Sequence, residues 1–515
     1  MSLALVQSRA LLGLHAPPVT VEVHLANGLP SFTLVGLADV EVKEARERVR
    51  SALVNSGLEF PGNKRITVNL APADLPKDSG RFDLPIAVGI LAASGQIDVR
   101  RLVGWEFAGE LSLSGELRPV RGALATSLAL HQQREPVLQV LPPGSAEEAA
   151  WVPEAQVFCA RHLLDVVRAF LPRPEGGAPP NPGWQRVQGQ PLEAPCTSAE
   201  MADVKGQAQA KRALEIAAAG GHSLLLVGPP GAGKSMLAQR FADLLPPMSV
   251  DEALQTAALA SLAGRFCAQH WAQRPTASPH HTASAVALVG GGSPPRPGEI
   301  SLAHHGVLFL DEFPEFSRAA LEALREPLET GRITIARAAQ RAEFPARFQL
   351  IAAMNPCPCG FWGSPLRRCR CTPDQVARYQ GKLSGPLLDR IDMHVEVPAL
   401  PAAQLLAARA GDAVALESTA QIRARVVRAH ALALARQGTP NQGLQGPAID
   451  QYLRLMPAAS GFVQAAAARL GWSGRSLHRV LKVARTIADL AGSTRIEIPH
   501  VAEAVQYRRA LLNNP

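Results

Sequence analysis

Residues 223–227 (SLLLV) run directly into Gly228-Pro229-Pro230-Gly231-Ala232-Gly233-Lys234-Ser235, and the reading of this stretch decides the fold. The apolar run reads as a short buried strand, the turn satisfies G-x-x-x-x-G-K-[ST], and a helix is predicted to open at Lys234. Strand, glycine loop and helix in that order make a phosphate-binding loop. The glycines let backbone N–H groups curl round a β-phosphate, and the helix N-terminus adds the positive end of its dipole. Lys234 is expected to reach the β- and γ-phosphates of ATP, and the Ser235 hydroxyl to ligate Mg²⁺.

Downstream, residues 307–310 (VLFL) end in Asp311 and Glu312. An apolar strand delivering two carboxylates places Asp311 beside the metal and Glu312 where it can polarise an attacking water as general base. A third strand, residues 350–354 (LIAAM), ends at Asn355. Strands alternating with helical stretches predict a doubly wound parallel sheet, and ligands bind at the C-terminal ends of such strands. Asn355 is therefore placed to orient the water or sense the γ-phosphate. A plain turn before Pro356 is the other reading.

The chain has 515 residues, which predicts roughly three domains at the usual domain size. Residues 1–171 read as mixed α/β, with strands over 19–25 and 66–70 and helices over 41–56 and 84–94. Residues 172–198 are crowded with Pro and Gly and read as a linker, 199–400 as the phosphate-loop core, and 401–515 as a small helical domain. Hydrophobic residues make up 47% and charged residues 19%, which excludes disorder as the dominant state. No apolar run approaches the ~18 residues a bilayer span needs, and no basic region precedes the N-terminal apolar stretch around Arg9. A cytoplasmic chain with no signal peptide and no membrane association is expected.

Of 52 basic residues only eight are lysine, so the net charge of +8 is carried mainly by arginine. Residues 421–509 hold thirteen Lys and Arg against four Asp and Glu, a surplus of nine. The basic character thus lies in the C-terminal segment, which hints at an anionic partner such as nucleic acid. Four of the seven cysteines, Cys357, Cys359, Cys369 and Cys371, fall within fifteen residues. Their thiolates could close a structural tetrahedral Zn²⁺ site, although C-x-C is tighter than the usual C-x₂₋₄-C spacing; free thiols are the alternative. The pairs His280-His281 and His304-His305 converge poorly on one ion and are expected to form hydrogen bonds.

The strings GPPGAGKS, ASPHHTASAVALVGGGSPPRPGEISLAHHGVLFLDE, MNPCPCG and SGPLLDRIDMHVEVP resemble the AAA+ ATPase module. The likeness is to its magnesium-chelatase-like branch, the family of YifB and the ComM competence proteins, and it spans essentially the whole chain. It implies an AAA+ core with a C-terminal helical lid. Arg390 then matches the arginine finger given in trans to a neighbouring subunit, where a guanidinium stabilises charge spread over the γ-phosphoryl oxygens. A surface ion pair with Asp389 or Asp392 is the alternative. Arg475 matches the second sensor of the lid, with Arg479 one turn on as its competitor. A site completed in trans implies a homo-oligomeric ring, most naturally a hexamer.

The region around 259–302 resembles an insertion that projects toward a central pore. A hairpin from Gly331 onward would face the same pore, making Arg332, Arg337 and Arg341 candidates for gripping a phosphate backbone, or else members of a solvated hairpin. The N-terminal segment resembles the Lon protease domain, of ribosomal S5 domain 2-like fold, through PKDSGRFDLP and FAGELSLSGELRPV. A Ser–Lys dyad is absent: no lysine lies between Lys77 and Lys205 to activate Ser79. No peptidase activity is expected, and casein hydrolysis lost on Ser79→Ala would overturn that.

The sequence therefore predicts an ATP-hydrolysing AAA+ motor acting on branched or single-stranded DNA, with a helicase-like role in branch migration during homologous recombination and natural transformation. The alternatives are a magnesium-chelatase-type motor subunit and a protein-remodelling ATPase. Chelatase partners carry a D-x-S-x-S metal-ion adhesion site and an acidic linker, and neither occurs here.

Overall fold

The computed structural model describes residues 3–36, 40–75, 77, 80–132, 136–172, 183–189, 200–292, 295–337, 340–364, 367–401 and 417–508. Ser79 and most of the 172–198 stretch lie outside them.

The N-terminal part is built on a mixed eight-stranded sheet in the order Gln185–Val187, Gln156–Cys159, Leu138–Leu141, Trp105–Phe107, Leu3–Arg9, Pro18–Ala26, Arg65–Ala71 and Ser31–Val35. The alternation in Pro18–Ala26 points Val19, Val21 and Val23 into the core with no exposed surface. Onto that face packs the helix Asp83–Ala93, buried along its whole length. Gly89 lets it lie close, since a Cβ there would sit 2.5 Å from Val23 Cγ2. Arg9, inside the apolar N-terminal stretch, is buried in a strand and forks onto the Glu106 carboxylate. Within the Pro- and Gly-rich stretch, Gln185–Val187 pairs antiparallel with Gln156–Cys159, and Trp184 stacks on Trp105 at 5.0 Å. That segment of the expected linker is therefore an edge strand of the N-terminal sheet.

The core holds a five-stranded, all-parallel sheet ordered Thr276–Ala277, Val307–Leu310, Gln349–Met354, Leu224–Val227 and Met393–Glu396. Leu224–Val227 and Val307–Leu310 are wholly buried, as strands covered on both faces must be. The register pairs Val227 with Met354 and Leu310 with Ala352. The phosphate loop, Asn355 and Asp311 thereby emerge along one sheet edge. Thr276–Ala277 belongs to this sheet, so the region around 259–302 includes a core strand; its small hairpin pairs Gly290–Gly291 with Arg296–Pro297.

The C-terminal part is helical: Thr419–Gln437, Pro447–Tyr452, Pro457–Leu470, Gly474–Leu490 and Ile498–Gln506. Ile422, Val426, Val483 and Ile487 share one apolar cluster with Ala213, Leu214 and Ala217 of the core helix Ala208–Gly220. The N-terminal part docks through the helix Ala123–His131, whose Leu124 and Ala125 pack with Leu254, Ala257 and Ala258 of the helix Val250–Leu262. Ser261 donates to Glu148 across the same contact at 2.6 Å.

Candidate functional site

Between Gly228 and Ser235 the chain turns on two glycines in the left-handed region, Gly231 at φ 76° and Gly233 at φ 90°. Gly228 is required for a different reason: a Cβ there would fall 2.1 Å from the Val397 carbonyl oxygen. The helix Lys234–Gln239 starts where the sequence predicts.

Lys234 is buried, and its ammonium donates to the carbonyls of Gly228 at 2.7 Å and Pro229 at 3.0 Å, and to Asn355 Oδ1 at 3.1 Å. Burial lowers its pKa, partly countered by the charge of Asp311. Ser235 Oγ donates to Asp311 Oδ2 at 2.6 Å. Three strand ends are thus tied by two side-chain bonds. A hydroxyl and a carboxylate in contact, beside a lysine, are the hard oxygen donors that fit Mg²⁺ next to a phosphate.

Glu312 leaves the strand in the left-handed conformation, φ 51°, which costs a non-glycine residue about 1–3 kcal/mol. Its N–H donates to Asp311 Oδ1 at 2.9 Å, which helps hold the turn. Its carboxylate is 56% exposed and lies 2.9 Å from His281 Nδ1. Nothing in the spacing of the sequence pointed to His281 as a partner of Glu312.

Arg390 lies away from this arrangement among its own chain's groups. Its guanidinium pairs with Glu329 and donates to the Pro386 carbonyl at 2.9 Å, leaving 13% of the side chain exposed. The ion pair is therefore with Glu329 rather than with Asp389 or Asp392. Arg475 is exposed near the start of the helix Gly474–Leu490. Arg479, in contrast, is engaged: it donates to Asp392 Oδ1 at 2.5 Å and to the Arg390 carbonyl at 2.8 Å. The hairpin Arg332–Arg337 with Gln340–Pro345 forms in register, Arg332 pairs with Glu343 across it at 2.9 Å, and Arg341 is exposed. The Arg337 side chain lies outside the description.

The four clustered cysteines converge, all Sγ atoms lying within 4.8 Å of one another. Cys357 to Cys359, Cys369 to Cys359 and Cys369 to Cys357 measure 3.4, 3.5 and 3.6 Å. Sulfurs at the corners of a tetrahedron around Zn²⁺, with Zn–S bonds of about 2.3 Å, lie about 3.8 Å apart, so the donor set fits that ion. The N–H groups of Trp362 and Cys359 donate to Cys357 and Cys371 at 3.3 and 3.4 Å, which suits sulfur carrying negative charge. His304 and His305 contact Gln255 at 3.1 Å each, as hydrogen-bonding residues would.

A parallel sheet with a phosphate loop on one strand, Asn355 on the next and paired acids on the third, joined to a helical C-terminal part, defines a phosphate-loop α/β protein. Three family models match in tandem: subunit ChlI of Mg-chelatase over residues 21–143, magnesium chelatase subunit ChlI over 200–405, and its C-terminal part over 416–508. The uncharacterized protein YifB of Salmonella typhimurium is 49% identical over 510 residues, covering 99% of this chain and 97% of that protein. Competence protein ComM of Haemophilus influenzae is 49% identical over 511 residues, with 99% and 98% coverage. YifB of Escherichia coli is 47% identical over 509 residues, covering 99% and 97%. The chain belongs to the YifB and ComM family of magnesium-chelatase-like AAA+ proteins. Among the described residues, no helix is long and apolar enough to cross a membrane.

Proposed function

We propose that this chain is a cytoplasmic, Mg²⁺-dependent ATP hydrolase whose motor action is exerted on DNA, with branch migration during recombination of incoming DNA as its role. The observation that carries the reading is the joining of Lys234 to Asn355 and of Ser235 to Asp311 at one sheet edge. This arrangement can hold a triphosphate, a divalent cation and an attacking water together. Loop amides and Lys234 bind and orient the β- and γ-phosphates, which requires Lys234 to exchange its carbonyl partners for phosphate oxygens. Ser235 and Asp311 hold Mg²⁺, which when bound neutralises developing charge on the phosphates. Glu312 accepts the water's proton and Asn355 orients that water.

Arg390 acts on the ATP of a neighbouring subunit, which makes a homo-oligomeric ring, with six subunits as the expected number, the functional unit. Arg475 serves as the lid's sensor, and its exposure leaves it available for that role. The division at 1–171, 172–198, 199–400 and 401–515 separates an N-terminal organising domain, Lon-protease-like but without a dyad, from the motor and its lid. The four cysteines hold one structural Zn²⁺ beside Asn355.

DNA as the object of the motor is supported by the word competence in the name of a relative 49% identical throughout and by the basic C-terminal segment. Arg332, Arg337 and Arg341 supply phosphate contacts. The family descriptions, which are of a magnesium chelatase subunit, favour a second reading as a chelatase-type or protein-remodelling motor. ATP turnover and strand exchange on a synthetic four-way junction, with linear duplex as control and Arg390→Ala alongside, decide between them. Junction-stimulated turnover with movement of the branch, lost in the variant, is expected. Turnover indifferent to every DNA tested would sink the DNA reading and favour the second.

A further inference from the structure

The loop between Asn355 and Thr372 is folded on its cysteines and pressed against the phosphate loop. Gly360 turns at φ 83°, and a Cβ there would sit 2.5 Å from Pro230 Cδ and 3.7 Å from Asn355 Cγ. Gln380 donates to the Pro356 carbonyl at 3.0 Å, which ties the loop to the helix Pro373–Gln380 that follows it. From this anchored loop Arg367, Arg368 and Arg370 are all exposed. Among the described residues none of the three pairs with a carboxylate, and residues 355–378 hold four arginines against the single acid Asp374. Arg332 of the hairpin, in contrast, is already neutralised by Glu343, and Lys382 by Glu315 at 2.9 Å. Aromatic surface lies beside the charge. The Arg367 guanidinium sits 4.7 Å from the centroid of the Phe361 ring, and Phe361 and its neighbour Trp362 are both half-buried.

We propose that this cysteine loop is a contact site for single-stranded nucleic acid, in which Arg367, Arg368 and Arg370 take the phosphates and the Phe361–Arg367 pair takes a base. The inference rests on the reading of DNA as the object of the protein and names a place where one strand is held. Guanidinium groups meet phosphate with two parallel N–H donors each, and here no internal ion pair has to be broken first. A guanidinium lying over an aromatic ring extends the surface on which a base can stack. An acidic peptide answers the charge but has no flat ring to lay on Phe361. A duplex answers the charge too, but its bases are already stacked on one another. Positive charge interleaved with aromatic surface therefore favours a single strand. Because Gly360 rests on Pro230, the strand held here lies beside the loop expected to carry ATP.

The test is fluorescence anisotropy of a labelled oligothymidylate with the full-length chain, titrated from low to physiological salt. Wild type is compared with the triple variants Arg367→Ala/Arg368→Ala/Arg370→Ala and Arg367→Lys/Arg368→Lys/Arg370→Lys. The alanine variant is expected to bind about tenfold more weakly at low salt. Its slope of log Kd against log salt should fall by about 2, since each single-strand phosphate contact contributes ~0.7. The lysine variant keeps the charge and is expected to keep the slope. Wild-type affinity and slope in the alanine variant overturn this inference alone. A loss shared equally by the lysine variant, together with a lower melting temperature, assigns the arginines a structural role and also overturns it. Equal binding of a labelled duplex, with the same loss on substitution, overturns the single-strand assignment. Displacement of the oligothymidylate by polyglutamate at equal charge makes the partner an acidic protein and overturns it as well. If wild type binds neither strand nor duplex at low salt, the DNA reading falls and this inference with it.

Discussion

His304 enters the chain just before the strand that leads to Asp311, and the fold holds its ring neutral. The ring is 1% exposed. Its Nδ1 accepts the Arg347 N–H at 3.0 Å, so Nδ1 carries no proton, and its Nε2 lies 3.1 Å from Gln255 Oε1, where an N–H is required. Both nitrogens are therefore committed to the neutral form. Burial first, then the charges of His305 and Arg347, push its pKa down to about 2. In the unfolded chain an imidazole titrates near ~6.5. A group whose pKa is depressed on folding gives stability that is present above the unfolded value. That stability is lost as pH falls through the window between the two values, here from ~6.5 toward about 2.

Between pH 7.5 and 5.5 the unfolded chain gains close to one proton at this site and the folded chain gains none, a loss of about 1.4 kcal/mol. For a chain of this size, with about 2.1 cal/mol/K of unfolding entropy per residue, that corresponds to roughly 1 °C in melting temperature. The perturbation is His304→Gln, which offers an acceptor and a donor without a titrating group, and the assay is thermal unfolding at both pH values. The variant should be less stable than wild type at pH 7.5, and the gap should narrow by about 1 °C at pH 5.5. An identical acid-induced drop in both proteins would refute the claim that His304 is held neutral.

Four further outcomes are expected. Lys234→Ala should lose nucleotide binding, measured with a fluorescent ATP analogue, because the phosphates lose the cation that the loop holds beside Asn355. Glu312→Gln should bind ATP normally while kcat falls by about 10²–10⁴, the usual worth of a positioned base, in a coupled ATPase assay. Purified protein should carry one Zn²⁺ per chain by elemental analysis, and Cys357→Ser, at the most buried of the four thiols, should release it. DNA affinity, followed by fluorescence anisotropy, should fall steeply between low and physiological salt, since phosphate contacts release counterions.

The phosphate-loop core was legible because its signals are local. Leu224–Val227 and Val307–Leu310 are continuous apolar runs, as parallel strands buried on both faces are, and the motif that ends each one separates them from a buried helix segment. Thr276–Ala277 was hidden because two residues carry no periodicity; its place in the sheet comes from pairing with Val307 and Leu308. Leu3–Arg9 looked like an apolar stretch broken by a charge, yet the charge is the buried partner of Glu106, nearly a hundred residues away. Gln185–Val187 sits in a stretch whose composition announces a linker, and only the aromatic cluster of Trp105, Phe158, Phe170 and Trp184 gives it a reason to pair. The contact of His281 with Glu312 was invisible for the same cause: it is made by tertiary packing, and no spacing rule encodes it.

Asp392 shows how the separate parts of the site are made to answer to one another. It is 2% exposed, and burial would raise its pKa, but the His222 ring 3.6 Å away and the charge of Arg479 hold it well below the usual carboxylate range. Its carboxylate accepts from the N–H of Ser223 at 3.1 Å, at the start of the phosphate-loop strand, and from Arg479 of the helix Gly474–Leu490. The same Arg479 and the Ser223 hydroxyl both donate to the Arg390 carbonyl, at 2.8 and 3.2 Å. One buried carboxylate thereby joins the strand that leads to the nucleotide loop, the backbone of the residue expected to reach a neighbour's phosphate, and the helical lid. A shift of the helix Gly474–Leu490 that withdraws Arg479 takes the charged partner from a buried carboxylate, which is costly, so the contact holds that helix to the Arg390 backbone. Arg479 is thereby committed to this linkage, while Arg475, one turn earlier, is exposed.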